Sequence, residues 1–224
     1  MIMSASESTV FVVDDDAAAR ESVLALVASH GMTAVGYDSA EAFLRALPAD
    51  RNGCVVLDYR MPGMTGLDLQ EKLRQEGVEI PVVMISAYGD VPLAVRSMRN
   101  GAVTFLGKPC RENELWESIE QALAFDARTR RSRAEKYEIQ QRLGTLTADE
   151  MTVLRHLVLG WPNKNIAKHL DIGLRTVELR KANILRKMKA GSLAELVRMA
   201  MLAGIPCEPT PETGAPASLE PTAN

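Results

Sequence analysis

From residue 10 to about residue 126, short apolar runs alternate with stretches whose apolar residues recur every three to four positions. The runs fall at 10–13, 33–37, 54–57, 81–85 and 104–106, and the periodic stretches at 17–29, 40–47, 67–76, 91–100 and 111–124. This rhythm predicts five strands, each followed by a helix. Val55-Val56-Leu57 and Val82-Val83-Met84-Ile85 are continuously apolar rather than alternating, which predicts strands covered on both faces. The expected fold class is α/β: a doubly wound, five-stranded parallel sheet between helices. Right-handed crossovers favour the flavodoxin-like order 2-1-3-4-5, which puts a ligand site at the carboxyl ends of strands 1 and 3.

The pattern changes after residue 126. Residues 128–143, RTRRSRAEKYEIQQRL, lack Gly and Pro and carry only a thin apolar stripe, so they are expected to continue the last helix as an exposed linker ending at Gly144. Thr147-Ala148-Asp149-Glu150 has capping-box spacing and opens a new helix. Four short helices are predicted at 148–159, 164–170, 174–188 and 193–203, the middle pair separated by Asp171-Ile172-Gly173. This is the layout of helix-turn-helix modules. On the third, Leu174, Val177, Ile184, Leu185 and Met188 share the side expected to be buried, leaving Arg175, Glu178, Leu179, Ala182 and Arg186 outward, where a DNA groove would meet them. Residues 207–224, rich in Pro, Thr and Ala, read as a disordered tail. The expected division is 8–126, 127–144, 145–206 and 207–224.

Composition supports two units of opposite character. With 46% apolar and 25% charged residues the chain is an ordinary globular mixture, and its net charge of −3 hides a separation. Residues 1–126 hold ten Lys and Arg against nineteen Asp and Glu, whereas 127–144 hold six against two and 145–206 ten against five. A basic segment joined to an acidic one is a candidate polyanion binder, although an excess of five also suits a surface that binds nothing. No apolar run approaches the roughly 20 residues of a membrane span, and the polar start is unlike a signal peptide, so a cytoplasmic protein without membrane partners is expected. Cys54, Cys110 and Cys207 lack metal-ligand spacing and read as free thiols.

The fold hypothesis brings chemistry-bearing residues to one sheet edge. Asp14-Asp15-Asp16 follows strand 1, Asp58 ends strand 3, and Ser86 and Lys108 end strands 4 and 5. Carboxylates converging there call for a cation, and an oxygen-only site suits Mg²⁺. A carboxylate beside that metal can attack phosphorus, with Ser86 and Lys108 meeting phosphoryl oxygens. Taken alone, each piece has a plainer explanation. Asp16 caps the next helix, and Met61-Pro62-Gly63 is a simple turn.

Together, VFVVDDD, VVLDYRMPGMTGLDL, VVMISAYGD and GAVTFLGKP resemble the receiver domains of two-component response regulators over residues 8–126. The resemblance implies that Asp58 is the phosphoacceptor and that Asp14, Asp15, Asp58 and the Arg60 carbonyl hold Mg²⁺. It also implies that Ser86 and Phe105 are the switch residues and that Lys108 is the family's lysine, followed by a cis peptide to Pro109. Arg60 and Tyr88 take positions that tune access of water to the acyl phosphate. Two departures are visible: Ser86 stands where Thr is commoner, and Cys110 where an aromatic is commoner. LTADEMTVLRHLVLGWPNKNIAKHLDIGLRTVELRKANILRKM is similar to the LuxR-type output domain of the NarL/FixJ family. By that similarity Glu178, Leu179 and Ala182 face bases, Lys164 and Thr176 hold phosphates, and Arg180 replaces a usual His. Lys181 is expected to snorkel to the rim.

The implied protein is a transcription factor, not an enzyme, phosphorylated by a sensor histidine kinase and binding promoter DNA as a homodimer. Two other classes stay open on the sequence alone. An aspartate-nucleophile phosphohydrolase would use Asp14–Asp16 as its Asp-x-Asp and turn over generic phosphate esters. An RNA-binding antiterminator could share the receiver, but a helix-turn-helix reads duplex DNA and no stacking aromatics line its basic face. A helical dimerisation module that binds no nucleic acid is the plainest reading of residues 147–203.

Overall fold

The computed structural model describes residues 8–47, 51–87 and 91–206. The expected tail, Tyr88 and Cys207 lie outside them. The chain divides into two compact units between Arg131 and Ser132.

The first unit alternates β1 (Thr9–Val13), α1 (Ala17–Ser29), β2 (Thr33–Tyr37), α2 (Ala40–Ala46), β3 (Gly53–Asp58), α3 (Gly66–Gln75), β4 (Val82–Ser86), α4 (Val91–Arg99), β5 (Thr104–Gly107) and the first part of α5 (Glu112–Leu143), whose residues from Ser132 on belong to the second unit. All strand pairs are parallel, and the order is β2-β1-β3-β4-β5, as the apolar rhythm predicts. Side chains that alternate along each strand enter separate cores. Phe11, Val13, Val55, Leu57 and Met84 meet Phe43 of α2 and Leu69 and Leu73 of α3. Val10, Val12, Val56, Val83 and Ile85 meet Val27 of α1 and Leu115 and Ile119 of α5. This two-sided burial is why the central strands show no polar alternation.

Sequence periodicity places the last receiver helix at 111–124, and the structure runs α5 on without a break to Leu143, as the linker's composition predicts. Its far end contributes Ile139, 1% exposed, to the second core. The second unit adds α6 (Ala148–Val158), α7 (Asn163–His169), α8 (Leu174–Met188) and α9 (Leu193–Leu202). Val153, Leu154, Ile166, Val177, Ile184, Met188 and Leu196 form its centre. Leu174 departs from expectation: it is 39% exposed and outside this cluster, because the first residue of α8 precedes the turn at which Val177 meets the core. No described helix is long and apolar enough to cross a membrane.

Thr147 opens α6 with a reciprocal capping box, its side chain accepting from the Glu150 N–H while the Glu150 carboxylate accepts from the Thr147 N–H at 2.8 Å. Lys187 of α8 donates to the same carboxylate at 2.6 Å. The Lys187 bond, and then the Thr147 N–H, hold the Glu150 carboxyl below the usual carboxylate range. A depressed carboxyl pKa gives stability that is present above the unfolded value of about 4.3 and is lost as pH falls through the folded one. Glu150→Gln keeps an acceptor for Thr147 but takes the opposite charge from Lys187, which is left with neutral acceptors such as the Thr145 carbonyl at 3.1 Å. It should lower the melting temperature of this unit by a few degrees at pH 7. The gap from wild type should close as the solution is taken below about pH 4. A gap that is constant with pH would show that the ion pair contributes nothing.

Candidate functional site

The carboxyl edge of the sheet gathers the acidic residues because β1 and β3 are neighbours whose following helices leave on opposite faces. Asp14 directly follows β1 and is 5% exposed. Its Oδ1 accepts the Asp16 N–H at 2.9 Å, and its carbonyl accepts Arg20 Nη1 at 2.6 Å. Asp16 caps α1 by accepting from the Ala18 and Ala19 N–H groups, so one of the three aspartates serves the helix, as the plainer reading holds. Asp15 is exposed.

Asp58 is the last residue of β3 and is 6% exposed. Its Oδ2 accepts the Arg60 N–H at 2.6 Å, and its Oδ1 is paired with Lys108 Nζ. The same Nζ lies 2.8 Å from Asp14 Oδ2. Lys108 reaches this position from the residue after β5, where its N–H donates to the Ser86 carbonyl at 2.7 Å and its bond to Pro109 is cis. Ser86, 1% exposed, closes β4 opposite Gly107. Phe105 is half-buried against the core that contains Met84 and Leu57.

Burial pushes the Asp58 carboxyl above its ordinary value, with Asp14 adding to the rise and Lys108 opposing it. Burial alone would lower Lys108, but the flanking Asp14 and Asp58 carboxylates outweigh it and hold the ammonium charged. The Lys108 shift reflects one cation shared by two buried carboxylates, whereas the Asp58 shift reflects burial that this cation only partly offsets. Ligand oxygens of Asp14, Asp15 and Asp58 all lie within 4.8 Å of one another. Three carboxylates against one ammonium leave a local charge of −2, and an all-oxygen donor set with one exposed member fits a hard divalent ion that keeps waters.

Two positions carry weight that motif spacing does not assign. Arg20 anchors the Asp14 carbonyl from α1. Gly66 starts α3 so close to β3 that a Cβ on it would lie 2.3 Å from the Asp58 carbonyl oxygen. The only hint in the sequence is a small residue just after the capping Thr65.

In the second unit Arg175, Glu178, Ala182 and Arg186 are exposed along α8, Leu179 is 62% exposed, and Thr176 and Lys181 are half-buried. Lys164 is exposed near the start of α7. No side chain caps α7 or α8, whose cap positions are Pro162 and Gly173. Arg180 turns to the flank instead, donating to Asp149 of α6 at 2.5 Å.

Comparison with known proteins agrees with both halves. Residues 10–120 match the response regulator receiver domain, and residues 144–200 match the luxR family of bacterial regulatory proteins. The transcriptional regulatory protein FixJ of Bradyrhizobium diazoefficiens is 42% identical over 196 residues, 88% of this chain and 96% of its own. The chain belongs to the NarL/FixJ family of response regulators. The response regulator protein TodT of Pseudomonas putida is 39% identical, covering 88% of this chain and 87% of its own. Among solved structures, the response regulator StyR aligns over 87% of this chain and 98% of its own at 42% identity, with a TM-score of 0.78. Full-length FixJ from B. japonicum aligns over 88% and 97%, also at 42% identity, with a TM-score of 0.55. FixJ is a transcriptional regulatory protein, and both halves of the chain match regulator families, which removes the phosphohydrolase reading.

Proposed function

We propose that this response regulator takes a phosphoryl group on Asp58 from a phosphohistidine of a sensor kinase, dimerises, and binds promoter DNA through α8. The observation that carries the first step is the single ammonium of Lys108 between the buried carboxylates of Asp14 and Asp58. One oxygen of Asp58 bonds to phosphorus as the P–N bond breaks, and that electron pair leaves with the kinase imidazole. Lys108 exchanges its Asp58 oxygen for a phosphoryl oxygen, and the Ser86 hydroxyl donates to a second. Mg²⁺ held by Asp14, Asp15, Asp58 and the Arg60 carbonyl supplies neutralising charge when bound. Movement of Ser86 toward the phosphoryl group frees space for Phe105 to turn inward. We read 8–126 as receiver, 127–144 as linker and 145–206 as output domain.

Dimerisation is supported by an apolar stripe on α4. Val91, Val95 and Met98, spaced four and three apart, are 72%, 42% and 48% exposed. Beryllofluoride, which mimics the acyl phosphate, should raise the molar mass of the wild-type protein at tens of micromolar, roughly the range where weak dimers appear. Val95→Glu should block that rise while leaving Asp58 labelling intact. A Val95→Glu protein that dimerises like wild type would remove α4 from the interface.

The basic unit divides its work between holding DNA and reading it. Lys164 is placed to meet the duplex backbone, whereas Glu178 can accept only from a base donor such as cytosine N4. Lys164→Ala should weaken binding to all sequences and reduce the salt slope by about one unit. Glu178→Ala should relax preference at one base pair, worth about 1–3 kcal/mol. Binding to a site library at two salt concentrations separates the two. An unchanged ranking of sites in Glu178→Ala rules out base reading by that residue.

A further inference from the structure

The receiver unit has a cleft of about 300 Å³ at the edge of the sheet away from Asp58. It forms where the end of α3, the residues leading into β4, the Asn100–Gly101 turn after α4 and the middle of α5 come together. Leu73, Val78, Ile80 and Val82 give it apolar walls, and Phe125, 48% exposed, stands at its rim. Nothing in the proposed phosphoryl transfer uses this place.

Gln70 lines the cleft from α3, at a position that the helix's buried stripe of Leu67, Leu69 and Leu73 would fill with an apolar side chain. It is 3% exposed. Its Nε2 donates to the Ser97 carbonyl on α4 at 3.1 Å, but its Oε1 has no hydrogen-bond partner, and neither does Ser97 Oγ beside it. A buried acceptor left without a donor costs about 1–3 kcal/mol, so such a group in a cleft wall marks a place for a donor from outside the chain.

We propose that this cleft is a second ligand site of the receiver, taking a small, uncharged, planar aromatic molecule with one N–H or O–H donor. The Gln70 amide, whose Oε1 is closed to solvent, turns toward the cleft to accept from that donor, and the ring lies between Phe125 and the apolar walls. Net charge is disfavoured because the charges around the cleft are mixed. Arg74 opposes Glu79, and Asp126 is held by the Gly53 N–H at 3.1 Å, with Arg130 at 4.0 Å. A ligand there touches α3, the α4–β5 turn and α5 together, and so stabilises the receiver by mass action.

The test uses the full-length protein with phenol and toluene as probes, matched in shape and differing in the donor. Binding is read from the side-chain amide resonance of Gln70 and from the receiver's melting temperature. Phenol should bind about tenfold more tightly than toluene, the worth of one hydrogen bond. Gln70→Met, similar in volume, should bring the two within about twofold, and Phe125→Ala, a change at an exposed position, should weaken both alike. Failure of both probes to shift the Gln70 resonance at about 10 mM, a very weak limit, would mean that the cleft holds only water. Equal binding of the two by wild type, or a phenol preference that survives Gln70→Met, would equally overturn the site.

Discussion

Gly66→Ala should destabilise the receiver unit by about 3 kcal/mol, a large effect for one added methyl group. The new Cβ would sit 2.3 Å from the Asp58 carbonyl oxygen and 3.1 Å from Leu57 Cγ, and neither neighbour can yield easily. Leu57 is fully buried, and the start of α3 is fixed by the reciprocal hydrogen bonds of Thr65 and Asp68 and by the Gly66 N–H donating to the Tyr59 carbonyl at 2.9 Å. The backbone of Asp58 must therefore move, and acceptance of phosphate should slow along with the loss of stability. Gly144→Ala, whose Cβ would make only a 3.4 Å contact with a backbone oxygen, serves as the control and should change stability by less than about 0.5 kcal/mol. Denaturant unfolding of both variants decides the matter. A Gly66→Ala receiver as stable as the control would mean that α3 can slide on β3.

The strand order was legible because burial on both faces leaves β3 and β4 without polar residues until their last positions, Asp58 and Ser86. The sheet rule then brings Asp14 to Asp58 across 44 residues of chain, a meeting that no local pattern contains. What escaped the sequence depends on how closely elements approach. Periodicity gives Leu174 the same helical side as Val177 but cannot say where the core stops, and the structure leaves it exposed. Gly66, Arg20 and the tie from Asp126 to the Gly53 N–H have roles set entirely by distant backbone. Gln70 is the reverse case, a polar residue in an apolar stripe whose oddity is visible in the sequence and whose missing partner is visible only in the fold.

The central claim is that Asp58 is the one phosphoacceptor, and its test has the largest expected effect. Full-length protein incubated with acetyl phosphate and Mg²⁺ should gain one alkali- and hydroxylamine-labile phosphoryl group, located by mass spectrometry after borohydride trapping. Asp14 and Asp58 are both buried at the sheet's carboxyl edge and share Lys108, and the resemblance of VVLDYRMPGMTGLDL to receiver domains points to Asp58, the last residue of β3, as the acceptor. Asp58→Asn keeps the shape but removes the nucleophilic oxygen, and should abolish labelling, a loss of at least about a hundredfold. The Asp14→Asn protein should still carry any residual label on Asp58. Labelling of Asp58→Asn at the wild-type level, or trapped label on Asp14 or Asp15 in the wild-type chain, would contradict the account.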